Sequence, residues 1–229
     1  MSDRDTLVNG LDIMGLSVDA RALERLLVYF IELRKWKRKV NLVARDSTDI
    51  QILENHFLDS LTLLPLIQER ISAGTLSLLD VGTGAGFPGL VLKVVCPGLE
   101  VTLVEPRQKR IFFLKHIVRT LGLEGVELIN ARLGEKVPLP QLSGRKFSII
   151  TSRALTDIAG FVAMTSAHLA ESGLIICMKG PKGRDEIKIM EDTGAAGKFG
   201  LVRIEETRLP FSGAVRCLVV FSKPEKVTL

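Results

Sequence analysis

A short apolar run that ends in a carboxylate and passes at once into glycines constrains this chain more than any other feature: Leu76-Ser-Leu-Leu-Asp80-Val-Gly82-Thr-Gly84-Ala-Gly86-Phe87-Pro88-Gly89. Bounded by Gly74 and Gly82, the run reads as a buried parallel strand. The glycines let the loop backbone approach a ligand that any Cβ would hold off. The segment therefore predicts an α/β fold with a nucleoside-containing cofactor at the end of its first strand.

Two cofactor classes compete for such a loop. Gly84-Ala-Gly86-Phe-Pro-Gly89 fits a dinucleotide fingerprint, and Glu105, 21 positions after Gly84, stands where a ribose-binding acid belongs. Read one glycine earlier, Gly82-Thr-Gly84-Ala-Gly86 follows a strand ending in Asp80, the layout of S-adenosylmethionine (SAM)-dependent methyltransferases. A pyrophosphate favours bare N–H groups at a helix N-terminus, whereas SAM brings an ammonium and a sulfonium and tolerates a nearby acid. Asp80 therefore favours SAM. Asp80, Gly82, Gly84, Gly86 and Glu105 are the cofactor-binding residues that the pattern supplies, and a carboxylate at Glu105 can accept both ribose hydroxyls.

The remaining sequence supports an α/β reading. Asp19 can cap a helix whose Leu23, Leu26, Leu27, Phe30 and Leu33 fall on one face, and a second helical segment spans about Thr48 to Arg70. Beyond Ile71-Ser-Ala-Gly74-Thr, strands are expected at Leu76 to Asp80, Glu100 to Glu105, Val126 to Ile129, Phe147 to Thr151 and Leu174 to Met178. Helices begin near Pro88, Gln108, Asp157 and Arg184, and Leu201 to Glu205 with Cys217 to Phe221 read as a terminal hairpin. The expected architecture is a helical N-terminal subdomain over residues 1–74 followed at 75–229 by a class I SAM-dependent methyltransferase domain. That domain is a Rossmann-like, doubly wound, seven-stranded sheet ending in an antiparallel pair.

Composition narrows the setting. The polar, acidic start Met1-Ser-Asp-Arg-Asp and the lack of an apolar run near the ~20 residues that span a bilayer predict a cytoplasmic chain without membrane attachment. Cys96, Cys177 and Cys217 lie far apart with no CxxC or Cys/His clustering, so neither disulfides nor a metal is expected. A net charge of +5 leans toward an anionic partner.

Thr151-Ser-Arg153-Ala154 follows the fourth strand, where SAM enzymes face the transferred group. The sequence has no Asn/Asp-Pro-Pro-aromatic motif, no Pro-Cys nucleophile and no Asp pair for a metal, so the acceptor is expected to need no activation. Guanine N7 has an in-plane lone pair, and an enzyme need only align it with the methyl and exclude water. Arg153, always protonated, would bind and align rather than remove a proton. Lys109, Arg110, Arg132, Lys179 and Arg216 are expected along the same edge as RNA-binding cations, with RNA compensating Lys109 and Arg110 at a helix N-terminus. The Arg34 to Lys39 run reads as a solvated face, although Trp36 within it could stack on a base; His56 and Asp59 stand at i, i+3.

These motifs together resemble the bacterial small-subunit ribosomal RNA guanine-N7 methyltransferases, formerly called glucose-inhibited division protein B. The resemblance runs through Trp36, Asn41-Leu42, His56-Phe-Leu-Asp59-Ser60, the Asp80 to Gly89 loop, Lys109-Arg110, Ser152-Arg153-Ala154 and Lys179-Gly180. It implies methylation of N7 of guanine 527 in the 530 loop of 16S ribosomal RNA, with that RNA, in the small subunit or its precursor, as partner. By the same resemblance the SAM contacts fall on Gly82, Phe87, Leu133, Gly134 and Arg153; the place of Arg153 after the fourth strand makes it the candidate catalytic residue. The family commonly carries an acid where Gly134 stands, and here Glu135 follows one position later.

Overall fold

The computed structural model describes residues 2–71, 76–134, 139–153, 155–192 and 200–223; the expected boundary at 74–75, Glu135 and Ala154 lie outside them. Among these residues the strands are β1 (Ser77–Val81), β2 (Glu100–Val104), β3 (Val126–Ile129), β4 (Phe147–Arg153), β5 (Leu169–Lys179), β6 (Gly200–Arg208) and β7 (Val215–Ser222). They form one sheet in the order β3-β2-β1-β4-β5-β7-β6. Pairing is parallel from β3 through β5, and β7 and β6 are antiparallel. Strand order reverses at β1, which places a ligand crevice beyond the carboxyl ends of β1, β2 and β4.

The helices before the sheet are α1 (Asp3–Ile13), α2 (Ala20–Trp36), α3 (Asp49–Ile52), α4 (Asp59–Leu61) and α5 (Leu64–Ile71). Within and after it come α6 (Gly89–Val95), α7 (Gln108–Leu121), α8 (Ile158–Thr165) and α9 (Gly183–Asp192). Asp19 caps α2 by accepting from the Ala22 N–H at 2.7 Å. Alternation along the strands sorts side chains between two cores. Leu78, Leu103, Ile149 and Ile176 face the core that contains Leu26, Phe30 and Phe57 of the N-terminal helices, while Leu79, Val104, Ile150 and Ile175 face Phe161 of α8 and Ile187 of α9. The N-terminal helices thus bury their apolar faces on the sheet itself.

Two elements depart from the sequence pattern. The segment expected as one helix from Thr48 to Arg70 instead runs through six π-helical residues, Leu53–Leu58, between α3 and α4, and breaks before Leu64. Pro65 accounts for the break, because it lacks an N–H and crowds the turn before it. β5 begins at Leu169, not Leu174, since the register shifts between Phe147 and Ile149 and polar Glu171-Ser172 interrupt the apolar run.

Candidate active site

The glycine loop hangs from the end of β1. Gly82 and Thr83 donate their N–H groups to the Val104 carbonyl at 2.8 and 3.2 Å, which ties the loop to β2. Gly82 has φ 72°, and a Cβ there would come within 2.7 Å of Leu155 Cδ1. Gly86 has φ 95°, and its missing Cβ leaves room for the Tyr29 hydroxyl, which donates to the Ala85 carbonyl.

Asp80, expected beside the ligand, lies beneath the loop. It is fully buried, and its Oδ2 accepts from the Thr83 hydroxyl at 2.6 Å and the Gly89 N–H at 2.9 Å, so it fixes both ends of the turn. Oδ1 has no hydrogen-bond partner among the described residues, and burial pushes the carboxyl up to about 7 against those two hydrogen bonds. Phe87 is also beneath the loop: its ring is stacked on Tyr29 at 5.6 Å and on His56 at 5.0 Å.

A cavity of about 360 Å³ opens above β1 and β2, lined by Gly82, Glu105, Arg132, Leu133, Leu155 and Met164 among others. Its size falls in the range of small-molecule sites. Glu105 is nearly buried; its Oε2 accepts from the Gly84 N–H at 3.0 Å and its Oε1 from the Arg107 N–H at 2.8 Å, so one carboxylate joins the glycine loop to the β2–α7 turn. A carboxylate at a strand end, apolar walls at Leu133 and Met164 and a backbone free of Cβ at Gly82 suit an adenosine moiety. Gly84, Gly86 and Gly134 do not line this cavity.

A second cavity of about 280 Å³ lies beyond β4 and β5, lined by Asn55, Asp59, Arg153, Met178, Lys179, Gly180 and Arg216. Here the π-helical segment presents consecutive residues to the sheet. Arg153 donates to the Asn55 carbonyl at 2.7 Å, to Asp59 Oδ2 at 3.3 Å and to His56 Nδ1 at 2.8 Å, with its guanidinium 5.4 Å over the Phe87 ring. Arg216 donates to Asp59 Oδ1 at 2.8 Å and to the Asn55 side-chain oxygen at 3.3 Å. His56 and Asp59 therefore meet through Arg153. Burial raises the Asp59 carboxyl, and the two guanidiniums oppose that rise. Burial, then Arg153 and Arg216, lower His56 to about 3, so its ring is neutral and, with Nδ1 accepting, carries its proton on Nε2.

The expected cations divide by partner. Lys179 pairs with Glu186 at 2.7 Å and donates to the Thr156 carbonyl at 2.6 Å. Arg110 stands 3.5 Å from Glu105 and donates to the Asn41 carbonyl, so Arg110 has an anion within the chain, while Lys109 has none among the described residues. Lys109 and Arg132 are exposed. Trp36 is half-buried, packed at 5.3 Å on His116 and 5.6 Å on Phe113. Arg34 in the same run pairs with Asp49 at 2.9 Å.

Sequence reasoning missed Asn55, Tyr29 and Glu54. Buried Glu54 accepts from the Phe211 and Ser212 N–H groups at 2.6 and 2.7 Å and so fixes the β6–β7 turn against the π-helical segment. The signal available for Glu54 and Asn55 was adjacency to His56, in a stretch whose helical face has no room for so many inward polar groups unless it widens to a π turn.

Comparison with known proteins identifies the family. Residues 22–209 match the family model described as rRNA small subunit methyltransferase G. A protein named ribosomal RNA small subunit methyltransferase G from Desulfotalea psychrophila is 48% identical over 93% of this chain and 95% of its own length. One of the same name from Geobacter sulfurreducens is 40% identical over 93% and 94%. Among solved structures, a SAM-dependent methyltransferase from Aquifex aeolicus aligns with TM-score 0.51 at 20% identity over 75% of this chain and 92% of its own. The ribosomal protein L11 methylase of Lactobacillus delbrueckii subsp. bulgaricus gives 0.54 at 17% over 73% and 80%; both likenesses bear on fold. The strand order and these relatives make the fold that of a class I SAM methyltransferase, and the chain belongs to the rRNA small subunit methyltransferase G family.

Proposed function

We propose that this protein transfers the methyl group of SAM to N7 of a guanine in small-subunit ribosomal RNA, guanine 527 of the 530 loop in 16S numbering. SAM supplies an electrophilic methyl on its sulfonium. The cavity over β1 and β2 takes the adenosine portion, with Glu105 toward the ribose hydroxyls and Leu133 against the adenine; Gly134, next in the chain, stands outside the lining. Gly82, Gly84 and Gly86 keep the loop backbone close, while Asp80 and Phe87 support that loop from below.

The observation that carries the acceptor assignment is the state of the groups around Arg153. Asp59 has both oxygens occupied by arginines, His56 is neutral with Nδ1 already accepting, and Arg153 remains protonated. Groups so engaged are poorly placed to take a proton and well placed to hold a cation steady. That suits an acceptor with a free lone pair, for which catalysis amounts to alignment and exclusion of water. Arg153 is the aligning residue, able to donate to the guanine carbonyl or a phosphate, and Lys109 and Arg132 remain exposed to meet RNA.

The test is methyl transfer from tritiated SAM to small subunits isolated from cells lacking the modification, followed by nucleoside analysis. Label is expected in 7-methylguanosine. Label in another nucleoside, or none in the presence of bound SAM, refutes the assignment.

A further inference from the structure

Next to the cofactor cavity runs a groove of about 470 Å³ between the loop after α2 and the start of α7. Lys39 and Arg45 stand on one wall, Arg107 and Lys109 on the other, and Arg110 crosses the floor to the Asn41 carbonyl. Every charged side chain lining it is cationic. Lys39, Arg45, Arg107 and Lys109 are exposed, and among the described residues their side chains have neither an ion pair nor a hydrogen bond. Lys179 and Arg216, by contrast, already have carboxylate partners.

Four unpaired like charges facing one another across a narrow gap repel, and the fold keeps them there without an internal anion. The groove is also continuous with the cofactor site, because Arg107 and Arg110 line both cavities. Glu105 fixes this junction: it accepts from the Arg107 N–H and stands beside the Arg110 guanidinium. A chain of phosphates lying in the groove is thereby led to the rim of the pocket where the methyl is held.

Resting on the function proposed above, we infer that the groove of Lys39, Arg45, Arg107 and Lys109 is a phosphate-backbone site for the RNA strand flanking the target nucleotide. Backbone contacts of this kind set register and orientation, leaving the base to the cavity around Arg153. The paired cations Lys179 and Arg216 shape that second cavity and do not neutralise backbone phosphate.

The test compares the wild-type protein with the triple variant Lys39→Ala/Arg45→Ala/Lys109→Ala in binding to unmodified small subunits over a range of salt. Arg119→Ala, an exposed cation in the last turn of α7, serves as the control for net charge. Each phosphate left without its cation should make the log-log salt slope shallower by about 0.7 if the strand is single. For three such phosphates, a four-fold rise in salt then costs the variant about twenty-fold less affinity than it costs wild type. SAM affinity, read by calorimetry, should be unchanged and reports that the variant is folded. Equal slopes for wild type and the triple variant, or an Arg119→Ala shift as large per charge removed, overturn the groove assignment. Inorganic phosphate binding by calorimetry that is lost in the triple variant while its salt slope with the subunit stays at the wild-type value marks a site for a free anion and overturns it too. Failure of the wild-type protein to methylate the subunit is a separate result and overturns the function on which the inference rests.

Discussion

Replacing Asp80 by asparagine should remove that residue's own share of the pH dependence of stability. Asp80 is fully buried, Oδ2 holds Thr83 and Gly89, Oδ1 meets no partner among the described residues, and desolvation lifts the acid to about 7. In the unfolded chain an aspartate titrates near ~3.9. Below about pH 4 both states hold the proton and the shift costs nothing. As pH rises, the unfolded carboxyl ionises while the folded one keeps its proton, so stability falls through the window up to about 7 and stays lower above it. Roughly three pKa units at about 1.4 kcal/mol each make the full loss about 4 kcal/mol. Asparagine retains an oxygen for Thr83 and Gly89 but leaves an amide donor without a partner, a fixed cost of about 1–3 kcal/mol. Urea unfolding of both proteins from about pH 4 to about pH 8 gives a difference curve in which the other titrating groups cancel. The variant should be the less stable protein at the acid end and gain about 4 kcal/mol on wild type across the range. A flat difference curve refutes the reasoning, because Asp80 would then ionise as readily folded as unfolded.

Gly86→Ala should lower stability by about 2–4 kcal/mol through backbone strain and overlap with the Tyr29 hydroxyl. A Tyr29→Phe background should restore part of this in thermal unfolding. Asp59→Asn removes the counter-ion shared by Arg153 and Arg216; because both arginines are about a fifth to a quarter exposed, the cost should be near 2 kcal/mol, below that of a fully buried pair. Single-turnover methyl transfer should slow more than ten-fold in this variant, with SAM affinity by calorimetry close to wild type. Glu105→Ala should weaken SAM binding about ten-fold or more, the loss of a charge-assisted hydrogen bond, and an unchanged dissociation constant would remove Glu105 from the site.

What was legible in the sequence was local. The strand, the glycine loop and Glu105 lie within thirty consecutive residues, and their spacing carries the geometry almost unaided. The terminal hairpin was equally readable from two apolar runs around Leu209-Pro-Phe-Ser-Gly213. The pairing state of the cations was not: Arg110, Lys179 and Arg216 look like Lys109 and Arg132 in sequence, and only the fold supplies Glu105, Glu186 and Asp59 as their partners. The direction of Asp80 was hidden for a related reason, since a strand-end acid points into the crevice or under the loop according to a pleat that the pattern does not fix. At Leu53–Leu58 the crowding of Glu54, Asn55 and His56 is the one mark in the sequence of the π-helical widening, and the stretch otherwise reads as ordinary helix.

The tie between Glu54 and the Phe211 N–H, like that between Asp59 and Arg216, joins residues 157 positions apart. During synthesis from the N-terminus, the π-helical segment leaves the ribosome early and waits for partners made near the end. Glu54 and Asp59 are thus acids that the growing chain keeps wet until the last hairpin arrives. A protein released before residue 211 would have the glycine loop and Glu105 in its sequence, but the π-helical segment would lack the turn and the Arg216 guanidinium that hold it to the sheet. Completion of the cavity around Arg153 and Arg216 is in this sense a late event in the life of each molecule, coupled to finishing the chain itself.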